Sequence, residues 1–253
     1  MIDLPPHHQH LAFMSPLSGQ RAASLVNFLK VHARGTVVDI GCGWAGLLTR
    51  LLVASPELRG LGLDLKADGF AHARSVAQKQ GVADRLELVA GDAKLHLPAS
   101  AQGAICIGAS QVWAPHGEQS PPLDCAAALK ALRQLLPSGA PLVYGEAIWS
   151  VPPTPAAIAP LGGRLDEFLF LPDLVDLAWA SGFAVVQVQQ ASLDEWDEFE
   201  SGYTARYAVW LAEQGASHPD FDEVRERAFR QRDAYFRGYR GVLGMAYLAL
   251  LAV

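Results

Sequence analysis

Cysteine is scarce in this chain of 253 residues: Cys42, Cys106 and Cys125, an odd number with no C-x-x-C spacing. That argues against a disulfide framework and a cysteine-based zinc site, and it fits reduced thiols in a cytoplasmic protein better. Long apolar runs are missing too. The tail VLGMAYLALLAV falls well short of the roughly 20 residues a membrane-spanning helix needs, so it reads as a buried strand. The opening MIDLPPHHQHLAF has no basic region followed by an apolar stretch, so it does not read as a secretion signal. No cluster of lysine and arginine with interleaved aromatics offsets the formal net charge of -6, which argues against nucleic acid as a partner. There is no internal repeat. The only biased tract is VPPTPAAIAP (151 to 160), whose prolines predict a loop.

What the chain has is apolar mass in an alternating pattern. With 51% hydrophobic residues it can bury a full core. Apolar positions recur at helical spacing from Ser18 to Ala33, then Thr36 to Ile40 is a short apolar run ending at glycines. Trp44 to Ala54 returns to helical spacing, and Leu61 to Leu65 is again a short run, so the opening unit is strand, helix, strand. The alternation continues with a helix at about 67 to 81 and strands LELVA (86 to 90) and AICIG (104 to 108). A helix at about 123 to 136, strand PLVYGE (141 to 146), helix 172 to 181, strand FAVVQVQ and a last strand MAYLALLAV complete it. Such alternation predicts an α/β, doubly wound sheet with helices on both faces. Between the last two strands lie about fifty residues, 193 to 240, rich in charge and aromatics. They read as a helical insertion within a single domain spanning 1 to 253, with Asp194 a candidate cap and Pro219-Asp220 starting a second helix.

The first turn reads Gly41-Cys-Gly43-Trp-Ala-Gly46, a literal G-x-G-x-x-G where strand becomes helix. Such a turn serves any ligand that needs close backbone approach. Asp64, at the end of the second strand, can accept hydrogen bonds from a ribose in either a nicotinamide dinucleotide or S-adenosylmethionine (SAM), so it does not separate the two. Asp39 does. A carboxylate inside the turn opposes a pyrophosphate held at a helix N-terminus, whereas SAM brings a cationic sulfonium and an ammonium and no phosphate. Gly91-Asp92-Ala93 follows the third strand directly, placed to offer an adenine a carboxylate and a backbone N–H.

DIGCGWAG, GLDL with Asp64, AGDA with Asp92, LLPSGAPLVYGE and ASGF before a strand resemble the successive motifs of class I SAM-dependent methyltransferases. The resemblance covers about residues 18 to 190 plus the last strand. SPLS (15 to 18), IGAS with Trp113, GEAIW (145 to 149), DEFLFLP (166 to 172) and DEWDEFE (194 to 200) are similar to a small bacterial group of largely uncharacterised methyltransferases. That group is distantly related to the ubiquinone and menaquinone C-methyltransferases. The resemblance implies a Rossmann-like seven-stranded sheet with the last strand antiparallel, an N-terminal helix, and the insertion before the last strand as a substrate cover. It implies that Asp39, Gly41 and Gly43 face the methionine part of SAM, Asp64 and Leu65 the ribose, and Asp92 and Ala93 the adenine. Ile107, Gly108 and Ser110 then lie beneath the methyl group. The third glycine of the family pattern is Ala45 here, with Gly46 one place on.

Methyl transfer is an in-line displacement that needs alignment and exclusion of water, and a base only if the acceptor must lose a proton. His116, Glu118 and Glu146 are the candidate bases; His116 is otherwise a solvated loop residue, and Glu146 otherwise fixes a loop by a salt bridge. His7, His8 and His10 lack a spaced carboxylate or cysteine partner, so they read as a mobile N-terminal arm (1 to 17) rather than a metal site. In methyltransferases of this type such an arm folds over the cofactor, which makes His10 and Phe13 candidate lid contacts. Trp113, Trp149, Trp196, Tyr203 and Tyr207 can wall an acceptor pocket, or else dock the insertion on the sheet. EVRERAFRQRD (223 to 233) reads as a solvated face. The expected activity is methylation of a small molecule on nitrogen, oxygen, sulfur or carbon. An NAD-dependent oxidoreductase and a non-catalytic SAM-binding protein are the alternatives.

Overall fold

In the computed structural model, which describes residues 2–114 and 123–253, seven strands form one sheet in the order β3-β2-β1-β4-β5-β7-β6. They are β1 (Thr36–Ile40), β2 (Arg59–Asp64), β3 (Leu86–Ala90), β4 (Gly103–Ile107), β5 (Pro141–Trp149), β6 (Phe183–Gln190) and β7 (Leu243–Ala252). β1 to β5 run parallel, and β7 is antiparallel to both β5 and β6. The order reverses between β1 and β4. Open parallel sheets bind ligands outside the carboxyl ends of the strands at such a switch point.

The helices follow the apolar spacing: α1 (Gly19–His32), α2 (Gly46–Ala54), α3 (Phe70–Lys79), α4 (Ala93–His96) and α5 (Cys125–Leu135). After them come α6 (Pro155–Ile158), α7 (Leu171–Ala180), α8 (Leu193–Gln214) and α9 (Phe221–Asp233). Two apolar clusters cover the two faces of the sheet. One joins α1 and α2 to Val37, Ile105, Val143 and Tyr247; the other joins α5 and α7 to Val38, Cys106, Tyr144 and Leu248. Alternate residues of one strand therefore serve opposite cores, as the period of two requires. Among the described residues, no helix is long and apolar enough to cross a membrane.

Three expectations need correction. The proline tract is not all loop: Thr154 Oγ1 accepts from Ala157 N at 3.2 Å and starts α6, with Pro155 in the first turn, where its missing N–H costs no bond. A 3-10 turn, Ala159–Leu161, follows it. β5 runs three residues beyond Glu146, because Ala147 to Trp149 pair with Met245 to Leu243 on the strand that returns from the insertion. The cap of α8 is Ser192 rather than Asp194: Ser192 Oγ accepts from Glu195 N at 3.1 Å while Glu195 Oε2 accepts from Ser192 N at 2.7 Å, a reciprocal capping box.

β6 ends and β7 begins on the edge where the parallel strands end, so the insertion between them stands over the ligand edge. It consists of α8, α9 and a π-helical stretch, Ala234–Tyr239. Its charges pair at long range in sequence. Tyr239 donates to Glu200 Oε1 at 2.6 Å, Tyr235 donates to Asp197 Oδ1 at 2.6 Å, and Arg240 grips both oxygens of Asp197. On α9, Arg225, Arg227 and Arg230 pair with Asp222, Glu223 and Glu226 on an exposed face.

Candidate functional site

The glycine turn is built from backbone that an ordinary side chain resists. Gly41 has φ 71° and Gly43 φ 55°, and Ala45 shares this left-handed conformation at φ 53°. A Cβ on Gly41 would stand 2.6 Å from the Cβ of Ala109, so the first glycine is required by space as well as by φ. Gly41 N and Cys42 N both donate to Leu63 O, at 2.8 and 3.0 Å, which locks the turn to the end of β2. Gly46 lies under the arm: a Cβ there would approach Ala12 O at 3.0 Å.

Above the turn is a crevice lined by Asp39, Gly41, Gly43, Ile107 and the arm residues Phe13, Met14, Ser15 and Leu17, among others. Asp39 is 5% exposed and has no hydrogen-bond donor among the described residues. Burial, and then the nearby charge of Asp64, push its carboxyl up to about 8. A cation brought beside it favours the anion, as the sequence reading of this turn requires.

Asp64 Oδ2 accepts from Gly43 N at 2.8 Å and Oδ1 from Lys66 N at 3.0 Å. It therefore shapes the turn in addition to whatever it offers a ligand. Leu65 is 73% exposed at the rim. Asp92 caps α4 by accepting from Lys94 N at 3.0 Å, and Ala93 is buried behind it. Gly91 N donates to Asp64 O at 2.9 Å, which brings the two acidic turns together. Gly108 takes φ 61° and donates to Gly145 O at 2.8 Å.

Ser110 is turned away from the crevice. It is fully buried, its hydroxyl is 2.6 Å from Tyr144 OH, and its N–H donates to Glu146 Oε2 at 3.2 Å. Glu146 also accepts from Ala147 N at 3.0 Å, and burial raises its carboxyl above the usual range. Through Ser110 N it holds the start of the segment after β4, and among the described residues it makes no salt bridge, one of the two roles expected of it beside a substrate contact. His116 and Glu118 lie outside the described residues.

The aromatic candidates divide. Trp149 is 1% exposed, donates to Leu165 O at 3.0 Å and meets Phe168 edge-on, so it anchors the loop that follows β5 and is not an open pocket wall. Trp196 is buried in the sheet-facing core against Phe199 and Tyr239 and docks the insertion. Trp113, on a 3-10 turn Ser110–Trp113, packs against the other core. Tyr203 and Tyr207 are half-buried; Tyr203 stacks on His7 at 4.4 Å, and the Arg206 guanidinium lies over the Tyr207 ring at 5.3 Å.

The arm is tied down rather than mobile. Ser15 Oγ is 2.6 Å from Tyr247 OH, Tyr247 donates to Pro16 O at 3.0 Å, and Trp44 Nε1 donates to Ala12 O at 3.0 Å. His8 stacks on His72 at 3.9 Å, while His10 has a buried Nε2 without a partner. Among the described residues, no three histidine, cysteine or acidic side chains are grouped to hold a metal ion. Sequence reasoning missed Arg21, whose guanidinium grips Glu195 at 2.7 Å and Gln189 at 2.9 Å, and Gly202, where a Cβ would stand 2.8 Å from His10 O. A glycine in mid-helix was the legible signal for the second, since it permits close backbone approach.

Residues 37–139 match the protein family described as "Methyltransferase domain". The uncharacterized protein YjhP of Escherichia coli (strain K12) is 27% identical over 244 residues, covering 94% of this chain and 93% of YjhP. A SAM-dependent methyltransferase from Geobacter sulfurreducens, crystallised with S-adenosyl-L-homocysteine, is 25% identical with a TM-score of 0.82 over 100% of both chains. A second, from Thiobacillus denitrificans and also crystallised with S-adenosyl-L-homocysteine, has the same identity of 25%, TM-score of 0.82 and coverage of 100% of both chains.

Proposed function

We propose that this chain, a class I methyltransferase that uses SAM, transfers the methyl group to a small molecule enclosed by the N-terminal arm, the residues that follow β4, the loop at 147 to 170, and the helical insertion. The single observation that carries the reading is the crevice in which Asp39, Gly41 and Gly43 are roofed by Phe13 and Met14. Its donor set fits SAM. The left-handed glycines allow close approach, and a buried carboxyl without a donor suits an ammonium or a sulfonium. When bound, SAM supplies an activated methyl group and its own leaving group.

The chain's residues then have three tasks. Asp39 holds the positive amino acid end, and its ionisation is favoured by that charge. Asp64, already oriented by Gly43 N and Lys66 N, keeps acceptor capacity for ribose hydroxyls, with Leu65 at the rim; Asp92 and Ala93 receive the adenine. Ile107, which lines the crevice, and Gly108 beside it would lie beneath the methyl group, and Phe13 with Met14, which also line it, would exclude water. Glu146 and His116 are the candidate groups to take a proton from an acceptor that must lose one. Carbon belongs among the acceptor atoms to be tested if the distant relation to the quinone C-methyltransferases holds. A cytoplasmic setting, with Cys42, Cys106 and Cys125 reduced, belongs to the same reading.

Calorimetric titration with S-adenosylhomocysteine and with NADH tests the cofactor: the first binds and the second does not. Binding of NADH alone overturns the reading in favour of an oxidoreductase. Asp64→Ala weakens S-adenosylhomocysteine by about 1 to 3 kcal/mol through lost charge-assisted hydrogen bonds. Incubation with methyl-labelled SAM and a broad metabolite panel then yields a labelled product; a panel left wholly unlabelled favours a non-catalytic SAM-binding protein.

A further inference from the structure

The ties that hold the arm over the crevice differ in kind. Ser15 and Pro16 are joined to the hydroxyl of Tyr247, which is buried in β7, and Trp44 Nε1 donates to Ala12 O, which lies over Gly46. Another tie is a pair of imidazoles. His8 of the arm lies flat on His72 of α3, with ring centroids 3.9 Å apart and an interplanar angle of 11°, and Trp44 meets His8 edge-on at 6.2 Å. Both histidines are half-buried and line a groove between the arm, α2 and α3. Trp44 and Gly46 line that groove and the crevice alike, so they are the wall between the pair and the site.

Two neutral imidazoles stack favourably, and a single protonated ring still stacks on a neutral one. Two protonated rings set like charges about 4 Å apart, where they repel. The surroundings add to that repulsion. Lys79 of α3 acts on His72, and Arg50 of α2 lines the same groove. Among the described residues no carboxylate forms an ion pair with either ring. On the arm, His7 is pressed down to about 4 by burial, Arg206 and His10, so it stays neutral while the pair titrates, and His10 acts on His7 and not on His72. Burial first, then His8 and Lys79, hold the His72 imidazole below its usual 6.5. The closed arm therefore takes up this proton less readily than a freed one: it is favoured above pH 6.5 and loses favour as pH falls below that value.

We propose that the stacked pair of His8 and His72 is a proton-sensitive clasp on the arm. While at most one ring is charged, the stack holds the arm closed. When both are charged, the arm lifts from α3, drawing Ala12 off Trp44 and Gly46 and opening the crevice beneath Phe13. The effect on the cofactor, faster exchange in acid, rests on the methyltransferase reading above. The phenol of Tyr247, the alcohol of Ser15 and the indole of Trp44 do not titrate between pH 5 and 8, so among these ties the imidazole pair is the one that answers to protons.

The test uses the full chain at constant ionic strength, from pH 7.5 to pH 5.5. Dissociation of S-adenosylhomocysteine is followed by stopped-flow displacement in the parent and in His72→Phe, which keeps a ring against His8 and cannot be charged. The ratio of the parent rate to the variant rate rises about fivefold on acidification, and taking the ratio cancels the titration of Asp39, which both chains share. His8→Phe behaves as His72→Phe does, and the double variant no differently from either single one. In the cofactor-free parent, the NMR signal of the Trp44 indole N–H moves toward that of a free indole as the pair takes up its second proton, and it stays in place in His72→Phe. The proposal is overturned if the rate ratio is the same at both ends of the range, if the indole signal moves with the first proton, or if it moves alike in parent and variant. Should S-adenosylhomocysteine fail to bind the parent chain, the methyltransferase reading falls separately, and the indole signal still decides the clasp.

Discussion

At the glycine turn the carboxylates answer to backbone: Asp64 to Gly43 N and Lys66 N, Asp92 to Lys94 N, and Asp39 to no donor among the described residues. On α8 of the insertion three carboxylates also answer to distant side chains: Glu195 to Arg21, Glu200 to Tyr239 and Gln231, Asp197 to Tyr235 and Arg240. The contrast teaches how one domain divides its work. The turn is rigid through strained backbone and keeps carboxyl capacity for a ligand. The cover commits these carboxylates of α8 to partners within the protein.

Removing the central tie of the cover should have the largest effect. Glu195 receives Arg21, Ser18 N and Ser192 N at once, so Glu195→Ala strands a guanidinium whose side chain is only 18% exposed and costs about 3 kcal/mol in urea unfolding. A loss under about 1 kcal/mol would place the pair among ordinary surface bridges. Burial alone would raise this carboxyl, but the bonds from Arg21, Ser18 and Ser192 outweigh it and hold it at about 2. Its contribution is therefore complete above the unfolded value near 4.5 and fades as pH falls toward 2; in the variant that acid-side loss disappears.

Gly41→Ala attacks the other region. The left-handed φ and the clash with Ala109 cost about 2 to 3 kcal/mol of stability, and S-adenosylhomocysteine binding is lost with the turn. A variant that folds and binds normally would show that the backbone is softer than its geometry implies.

Asp39 sharpens the comparison by pH. Its folded value lies near 8, so the native state keeps a proton that the unfolded chain releases near 3.8. Stability of the cofactor-free protein therefore falls as pH rises between those values, by at most about 1.4 kcal/mol per unit. Asp39→Asn removes that slope. It also removes the rise in SAM affinity expected in the parent between pH 6 and pH 8, where cation binding releases the proton. Parallel curves for parent and variant would exclude Asp39 as the counter-charge. The smallest effect is Asp92→Ala, which loses the cap of α4 and costs about 1 kcal/mol in thermal unfolding.

Much of the fold was legible because its signals are local. Thr36 to Ile40 and Leu86 to Ala90 match their strands end to end, since a short apolar run closed by a glycine or preceded by a turn has few other readings. The glycine turn was legible for the same reason. What escaped was set by partners far along the chain: Trp149 is buried by Leu165 and Phe168, β5 is lengthened by β7, and the arm is fixed by Tyr247. Ser192 outcompeted Asp194 as a cap because Glu195 completes the reciprocal box, a spacing that could have been read in Ser192-Leu-Asp-Glu195.

The order of strands and helices, the sharp turn at Gly41 and the acidic groups around it follow from the amino acids alone, because periodicity and left-handed φ act over a few residues. The burial of Asp39, the inward turn of Ser110 and the meeting of His7 with Arg206 were decided only when the chain closed on itself. Burial and pairing depend on which surfaces come together, and 199 positions separate the two partners of that last pair.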